Sequence, residues 1–255
     1  MTLKDFYQKI CELYPENTAA VWDNDGIMVS GDTCTEVKRV LVALDPTIEV
    51  IEYAAKNSFD TVLTHHPMIF KPQKNVTSDG YCGKRIITAL KNGISVISLH
   101  TRLDRGAGGV NDTLLKTLGF ECAGVFGDDE FPDIGRYAET EPMSALELGE
   151  IIKEKLGCEM VRFTGDPDKI ISKVGVCGGA GGDFLSACVK NGLDAYITGE
   201  CGYNKAQDIT ERGLVTYEIG HYHSESPVCG MLVYLAESIA GAETEFYDSC
   251  AYRML

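Results

Sequence analysis

Apolar positions recur along this chain in two rhythms, and the rhythms change places. Leu3, Phe6, Ile10 and Leu13 lie three or four residues apart, which predicts an amphipathic helix over 3–14. KRVLVALD (38–45) is a compact apolar run ending in a carboxylate and predicts a strand. TIEVIEYAAKN (47–57) returns to helical spacing, and DTVLTHH (60–66) is the next strand. KRIITALKNG (84–93) and GGVNDTLLKTLG (108–119) predict helices closed by glycine, with the strand ISVISLHT (94–101) between them. This alternation predicts parallel strands joined by right-handed crossovers, an α/β domain.

GVFGDDEFPDIG (124–135) is turn-rich and acidic and reads as a boundary. A second pass follows. Helices are expected at 144–157 and 184–192, strands at 169–179, 194–200 and 214–223, and a closing helix at 228–241. The two passes share a plan but no repeat of sequence.

Composition changes this picture little. The chain has 255 residues, 44% hydrophobic and 24% charged, enough for one large domain or two moderate ones. Its apolar runs, such as RVLVAL, are far too short to span a bilayer. MTLKDFYQKICELYPEN lacks the basic-then-apolar order of a secretory signal, so the expected compartment is the cytoplasm. Ten cysteines are scattered singly with no C-x-x-C pair, so they are expected to be small buried hydrophobes in a reducing compartment. Cys201, at a strand end, is expected to be the reactive exception. The net charge of −15 repels nucleic acid and anionic membranes. An anionic small molecule stays open as a substrate, because a bound cation reverses the local sign.

All five histidines fall at three predicted strand ends: His65 and His66 in THHP, His100 in HTRLD, His221 and His223 in GHYHSE. In open parallel sheets, chemistry collects beyond the carboxyl ends of the strands. Imidazole and carboxylate are the usual ligands of zinc, iron and manganese. A single histidine at a strand end is ordinarily a hydrogen-bonded core or surface residue. Five out of five, with Asp104 and Glu225 nearby, favour a metal site. Neighbours on a straight strand point to opposite faces, so His65 and His66 share a site only if the chain turns there, and Pro67 favours such a turn. The pair then supplies one imidazole to each of two ions. His221 and Glu225 share a face if that stretch is helical. His100 and His223 are candidates for a supporting shell.

WDNDG (22–26), LDPT (44–47), THHPMIF (64–70), HTRLD (100–104), GGVND (108–112), CGGAGGD (177–183), DAYITGE (194–200) and GHYHSE (220–225) occur in this order. Together they resemble the NGG-interacting-factor-three-like family, whose members are often labelled GTP cyclohydrolase I type 2. The resemblance implies two interlocked α/β lobes with mainly parallel sheets flanked by helices, and a dinuclear metal cleft between them. It implies a first lobe over 1–125, completed by 226–255, and a second over 126–225. The ligands it implies are His65, His66, Asp104, His221 and Glu225, holding two divalent ions (zinc, iron or manganese). It also implies a homohexameric ring of dimers. Departures from the family pattern are Asp25 where an apolar residue is usual, Arg102 where asparagine is usual, and Asn204 and His223 near the expected site. Arg102 is expected to bring positive charge to it. CGGAGGD reads either as an anion-cradling loop or as a close-packed turn. Trp22 reads as a packing anchor.

Two functions of different class follow. One is a metal-dependent hydrolase acting on a nucleotide-like substrate by a cyclohydrolase, phosphatase or phosphodiesterase route, with Glu200 or His100 moving the proton. The other is a metal-binding regulatory or scaffold protein without turnover.

Overall fold

The computed structural model describes residues 1–252 and has two compact units, each with its own sheet. The first begins with helix α1 (Leu3–Leu13), capped by Thr2, whose side chain accepts from the backbone N–H of Asp5. Leu3, Phe6 and Ile10 are buried, at about 1.5–3 kcal/mol each. Leu13, on the same predicted stripe, is 58% exposed, and Tyr14 takes the inward place.

Strands β1 (Gly26–Val29), β2 (Arg39–Ala43), β3 (Thr61–Thr64) and β4 (Ser95–Ser98) follow, with α2 (Ile48–Lys56), α3 (Tyr81–Lys91) and the short α4 (Thr101–Arg105). β2, β3 and β4 are parallel neighbours, as their continuous apolar runs require of strands buried on both faces. β1 adds antiparallel to β4. Val50, Ile51 and Ala54 of α2 and Ile86 and Ala89 of α3 close one face of the sheet against Leu41, Ala43, Val62 and Val96.

The second unit runs Ala107–Pro227. It contains α5 (Val110–Thr117), β5 (Gly124–Phe126), β6 (Gly135–Ser144), α6 (Ala145–Leu156), β7 (Arg162–Thr164), β8 (Ile170–Cys177), α7 (Leu185–Lys190), β9 (Ala195–Thr198), α8 (Tyr203–Thr210), β10 (Val215–Glu218) and α9 (His221–Glu225). Its sheet order is β5-β6-β8-β9-β10-β7. Among the described residues only the β8–β9 and β9–β10 pairs of this sheet are parallel; it is mixed rather than mainly parallel. Helices α5 and α6 cover one face through Leu114, Leu115, Leu148 and Ile152. α7 and α8 cover the other through Leu185, Cys188 and Ile209. Because α5 packs on β6 and β8, the passage between units falls after Gly106, earlier than the turn-rich stretch at 124–135.

The chain then returns to the first unit with α10 (Val228–Ala240) and β11 (Glu243–Phe246), which pairs parallel to β2. No helix among the described residues is long and apolar enough to cross a membrane.

No described cysteine is disulfide-bonded. Six are buried, and Cys34 and Cys122 are exposed. Cys201 is among the buried ones, and its thiol is pushed up by burial and then by the nearby Glu218 carboxylate. This reverses the expectation that Cys201 reacts early. Maleimide labelling of native protein, mapped by peptide mass, should modify Cys34 and Cys122 first and Cys201 only after denaturation.

Candidate metal centre

In the first sheet β4, β3 and β2 lie side by side, so the residues just past their carboxyl ends converge. They are His100, the His65–His66 pair, and Asp45. β3 stops at Thr64, and this allows the two adjacent histidines to share one side. Thr64 secures the turn by donating to the His66 carbonyl at 2.8 Å. The two rings lie 4.9 Å apart, and that of His100 lies 5.3 and 5.8 Å from them. A nitrogen from each of the three falls within 4.8 Å of the others. Asp104, on α4, brings Oδ1 to 3.6 Å from His65 Nε2.

The hydrogen bonds identify which nitrogen of each ring carries the proton. His65 Nδ1 contacts the Leu99 carbonyl at 2.8 Å, and His66 Nδ1 contacts Asp45 Oδ1 at 2.7 Å. Carbonyl and carboxylate oxygens only accept, so Nδ1 carries the proton and Nε2 presents its lone pair. This is the arrangement that orients imidazoles for metals. Asp45 was visible in the sequence only as a strand-end carboxylate; its work is to hold His66.

His100 is held in the same way from another direction. Its Nδ1 donates to Asp23 Oδ1 at 2.8 Å, while Asp23 Oδ2 accepts from the Thr101 hydroxyl at 2.6 Å and the Thr101 N–H at 3.1 Å. Burial pushes the Asp23 carboxyl up, but the His100 and Thr101 hydrogen bonds outweigh it and hold the pKa at about 2, against an ordinary 3.8. A carboxyl depressed on folding stabilises the fold above its unfolded pKa and loses that contribution as pH falls through the folded one. Asp23→Asn should therefore cost stability at neutral pH. Chemical denaturation should show the deficit shrinking between pH 3.8 and about 2. A deficit constant across that window would remove the carboxylate from the account.

Arg102 is not a site cation. It is fully buried, and its Nη2 lies 2.6 Å from Asp25 Oδ1, so the two departures noted in the sequence neutralise each other. Asp25 Oδ2 also accepts from the backbone N–H of His100 at 2.7 Å. Trp22 is 56% exposed and meets Phe70 and His100 edge-on, so it is a rim residue rather than a buried anchor.

In the second unit the same rule operates at β9 and β10, parallel neighbours whose ends carry Glu200 and His221. The strand expected over 214–223 ends at Glu218. Gly220, at φ 84°, turns the chain into α9, and GHYHSE becomes a helix start. His221 and Glu225 thereby share a helix face, with Nε2 and Oε2 3.1 Å apart. His221 Nδ1 lies 3.1 Å from Glu200 Oε1, so Glu200 orients His221. The His223 ring meets Tyr222 edge-on at 5.9 Å, and Asn204 is exposed on α8.

CGGAGGD is a close-packed turn. Gly178 N–H donates to Asn111 Oδ1 and Gly179 N–H to Ser224 Oγ, so these donors are used inside the unit. A Cβ on Gly179 would stand 2.4 Å from Glu225 Oε1 and 3.3 Å from His221 Nε2. Imidazole nitrogens set among carboxylates, without a cysteine ligand, suit zinc, iron or manganese.

Comparison with known proteins gives the family and the fold. The chain is 39% identical over 233 residues to a GTP cyclohydrolase 1 type 2 homolog of Clostridium perfringens, covering 89% of this chain and 88% of that one. It is 27% identical over 218 residues to NIF3-like protein 1 of Drosophila melanogaster, covering 83% and 73%. Among solved structures, a hypothetical protein of Staphylococcus aureus superposes with a TM-score of 0.91 at 25% identity, covering 100% of this chain and 99% of that one. Reduced HcgD from Methanocaldococcus jannaschii superposes with a TM-score of 0.83 at 26% identity, covering 96% and 97%. The family match extends over residues 1–250, and the chain belongs to the Duf34/NIF3 (NGG1p interacting factor 3) family.

Proposed function

We propose that the chain is a metal-dependent hydrolase acting on a nucleotide-like substrate, in the manner suggested by the name GTP cyclohydrolase 1 type 2 homolog. In this reading His65, His66, Asp104, His221 and Glu225 hold two divalent ions. The observation that carries it is the set of three histidines, His65, His66 and His221, each with Nδ1 held by an oxygen and each in a cluster of three groups whose ligand atoms lie within 4.8 Å of one another. Divalent ions in such a centre acidify water and polarise the atom under attack. The chain's own residues supply the rest. His100, backed by the ionised Asp23, accepts and returns a proton. Asp45 and Glu200 keep His66 and His221 in register. Trp22 and Phe70 line the rim beside His100. The reading also carries a cytoplasmic location and a hexameric ring of dimers; light scattering at micromolar concentration should give the hexamer mass, and a monomer mass would contradict the ring.

The test is elemental analysis and a nucleotide panel on untagged protein. Two ions per chain are expected, with turnover detected as loss of the purine absorbance band or as free phosphate. His66→Ala should lower metal content substantially while the circular dichroism spectrum is kept, because a residue past a strand end adds little to the core. Stoichiometric metal in His66→Ala would remove that residue from the centre. Metal binding without turnover on any panel member would favour the regulatory or scaffold role.

A further inference from the structure

On the α7–α8 face of the second sheet the core stops short of the edge. Alternate residues of β10 and β7 face α8 there: Thr216 is paired with Thr164, and Glu218 with Arg162. Above them α8 presents Tyr203, Ala206, Gln207 and Thr210, spaced as one helical stripe. A helix packed on a sheet normally fills that layer with large aliphatic side chains. Here small and polar side chains make up most of both layers, Phe163 and Tyr203 are the aromatic members of the lining, and a cavity of about 630 Å³ lies between the layers, within the range of small-molecule sites. Ile209, on another side of α8, packs into the core and anchors the helix.

We infer that this cavity, whose lining includes no histidine, binds an uncharged heteroaromatic molecule; the inference is independent of the hydrolase reading. Charge sets the class. The lining holds one guanidinium, Arg162, against the two carboxylates Glu211 and Glu218, and Arg162 is already engaged by Glu218 at 2.5 Å. An anion finds no free cation in this lining and meets an excess of acid; an uncharged ring does not. Tyr203, 82% exposed at the start of α8, offers a face for stacking. Thr216 Oγ1 is buried at the floor with no hydrogen-bond partner among the described residues, and a turn about χ1 would present it to a ring nitrogen or amide.

Matched probes test the inference. Nicotinamide and adenosine should bind saturably, at one molecule per chain, to the protein as purified and after chelation. Their anionic counterparts nicotinate and adenosine monophosphate should bind at least about tenfold more weakly. Thr164→Trp and Ala206→Trp fill the cavity from opposite walls, and each should abolish binding with metal content unchanged. Four results would overturn the site: no saturable binding of either probe at millimolar concentration, anions binding as well as their neutral partners, binding lost on chelation, or binding undiminished in both tryptophan variants. Loss on chelation would assign the binding to the histidines, whereas failure of the hydrolase reading leaves binding here intact.

Discussion

Arg102→Asn should destabilise the protein by about 3–5 kcal/mol, the cost of leaving a buried charge without its partner. The guanidinium is enclosed on every side. Its Nη2 meets Asp25 Oδ1 at 2.6 Å and the Tyr7 hydroxyl at 3.1 Å, and its Nη1 donates to the Tyr14 carbonyl at 2.9 Å. The Tyr7 ring lies beneath it at 5.4 Å. Burial pushes the Asp25 carboxyl up while Arg102 pulls it down, so removing Arg102 takes away the largest influence opposing burial and leaves chiefly the His100 N–H against it. Asp25→Leu should be damaging for the mirror reason. Joined as Asp25→Leu with Arg102→Asn, the two changes remove both buried charges together. The double variant should recover about 2 kcal/mol relative to the sum of the singles. It should not recover everything, since Asp25 also accepts from the His100 N–H. Denaturant titration of the four proteins gives the coupling directly. Additive effects would mean that the pair is no unit and that the two residues act independently.

That pair marks the boundary of what the chain's text discloses. The apolar runs of β2, β3 and β4 are legible because parallel strands covered on both faces need unbroken hydrophobic sequence. The histidine positions are legible for a related reason: each follows directly on such a run. β6 is not. GRYAETEPMS is charged, contains Pro142, and shifts register between Glu139 and Met143, so neither alternation nor an apolar run survives in it. β11 is an edge strand with little buried surface, and β7 has only three residues. Asp23 with His100, and Asp25 with Arg102, are joined across 77 positions, and no local spacing encodes a contact of that span. Arg102 therefore reads from sequence as a site cation, and only its burial beside Asp25 shows otherwise. The turn of α9 is disclosed halfway. A four-residue spacing of His221 and Glu225 says what a helix would do, but the apolar run into EIGHYH favours continuing the strand, and Gly220 at positive φ decides against it.

Gly179→Ala should weaken metal binding by about 10- to 100-fold without replacing any proposed ligand, the range known for changes that disturb ligand orientation. Gly179 sits at φ 61°, and the added methyl would stand 2.4 Å from Glu225 Oε1, closer than any real contact allows. The turn cannot yield easily. Gly179 N–H donates to Ser224 Oγ at 2.9 Å, its carbonyl accepts from Glu200 N–H at 2.8 Å, and Ser224 Oγ donates in turn to the His221 carbonyl at 2.7 Å. The Glu225 carboxylate must therefore move, and with it the 3.1 Å approach to His221 Nε2. Left-handed backbone carries its own cost of about 1–2 kcal/mol for an alanine, so a control is needed. Gly157 supplies it, with φ 63° at the end of α6 and nothing within 4 Å of the place an alanine methyl would take. Gly157→Ala should lose similar stability and keep its metal. Metal competition titrations on the two variants separate strain from contact: equal losses in both would leave Glu225 without a demonstrated part in binding, while a loss confined to Gly179→Ala would tie the glycine-rich turn to the centre.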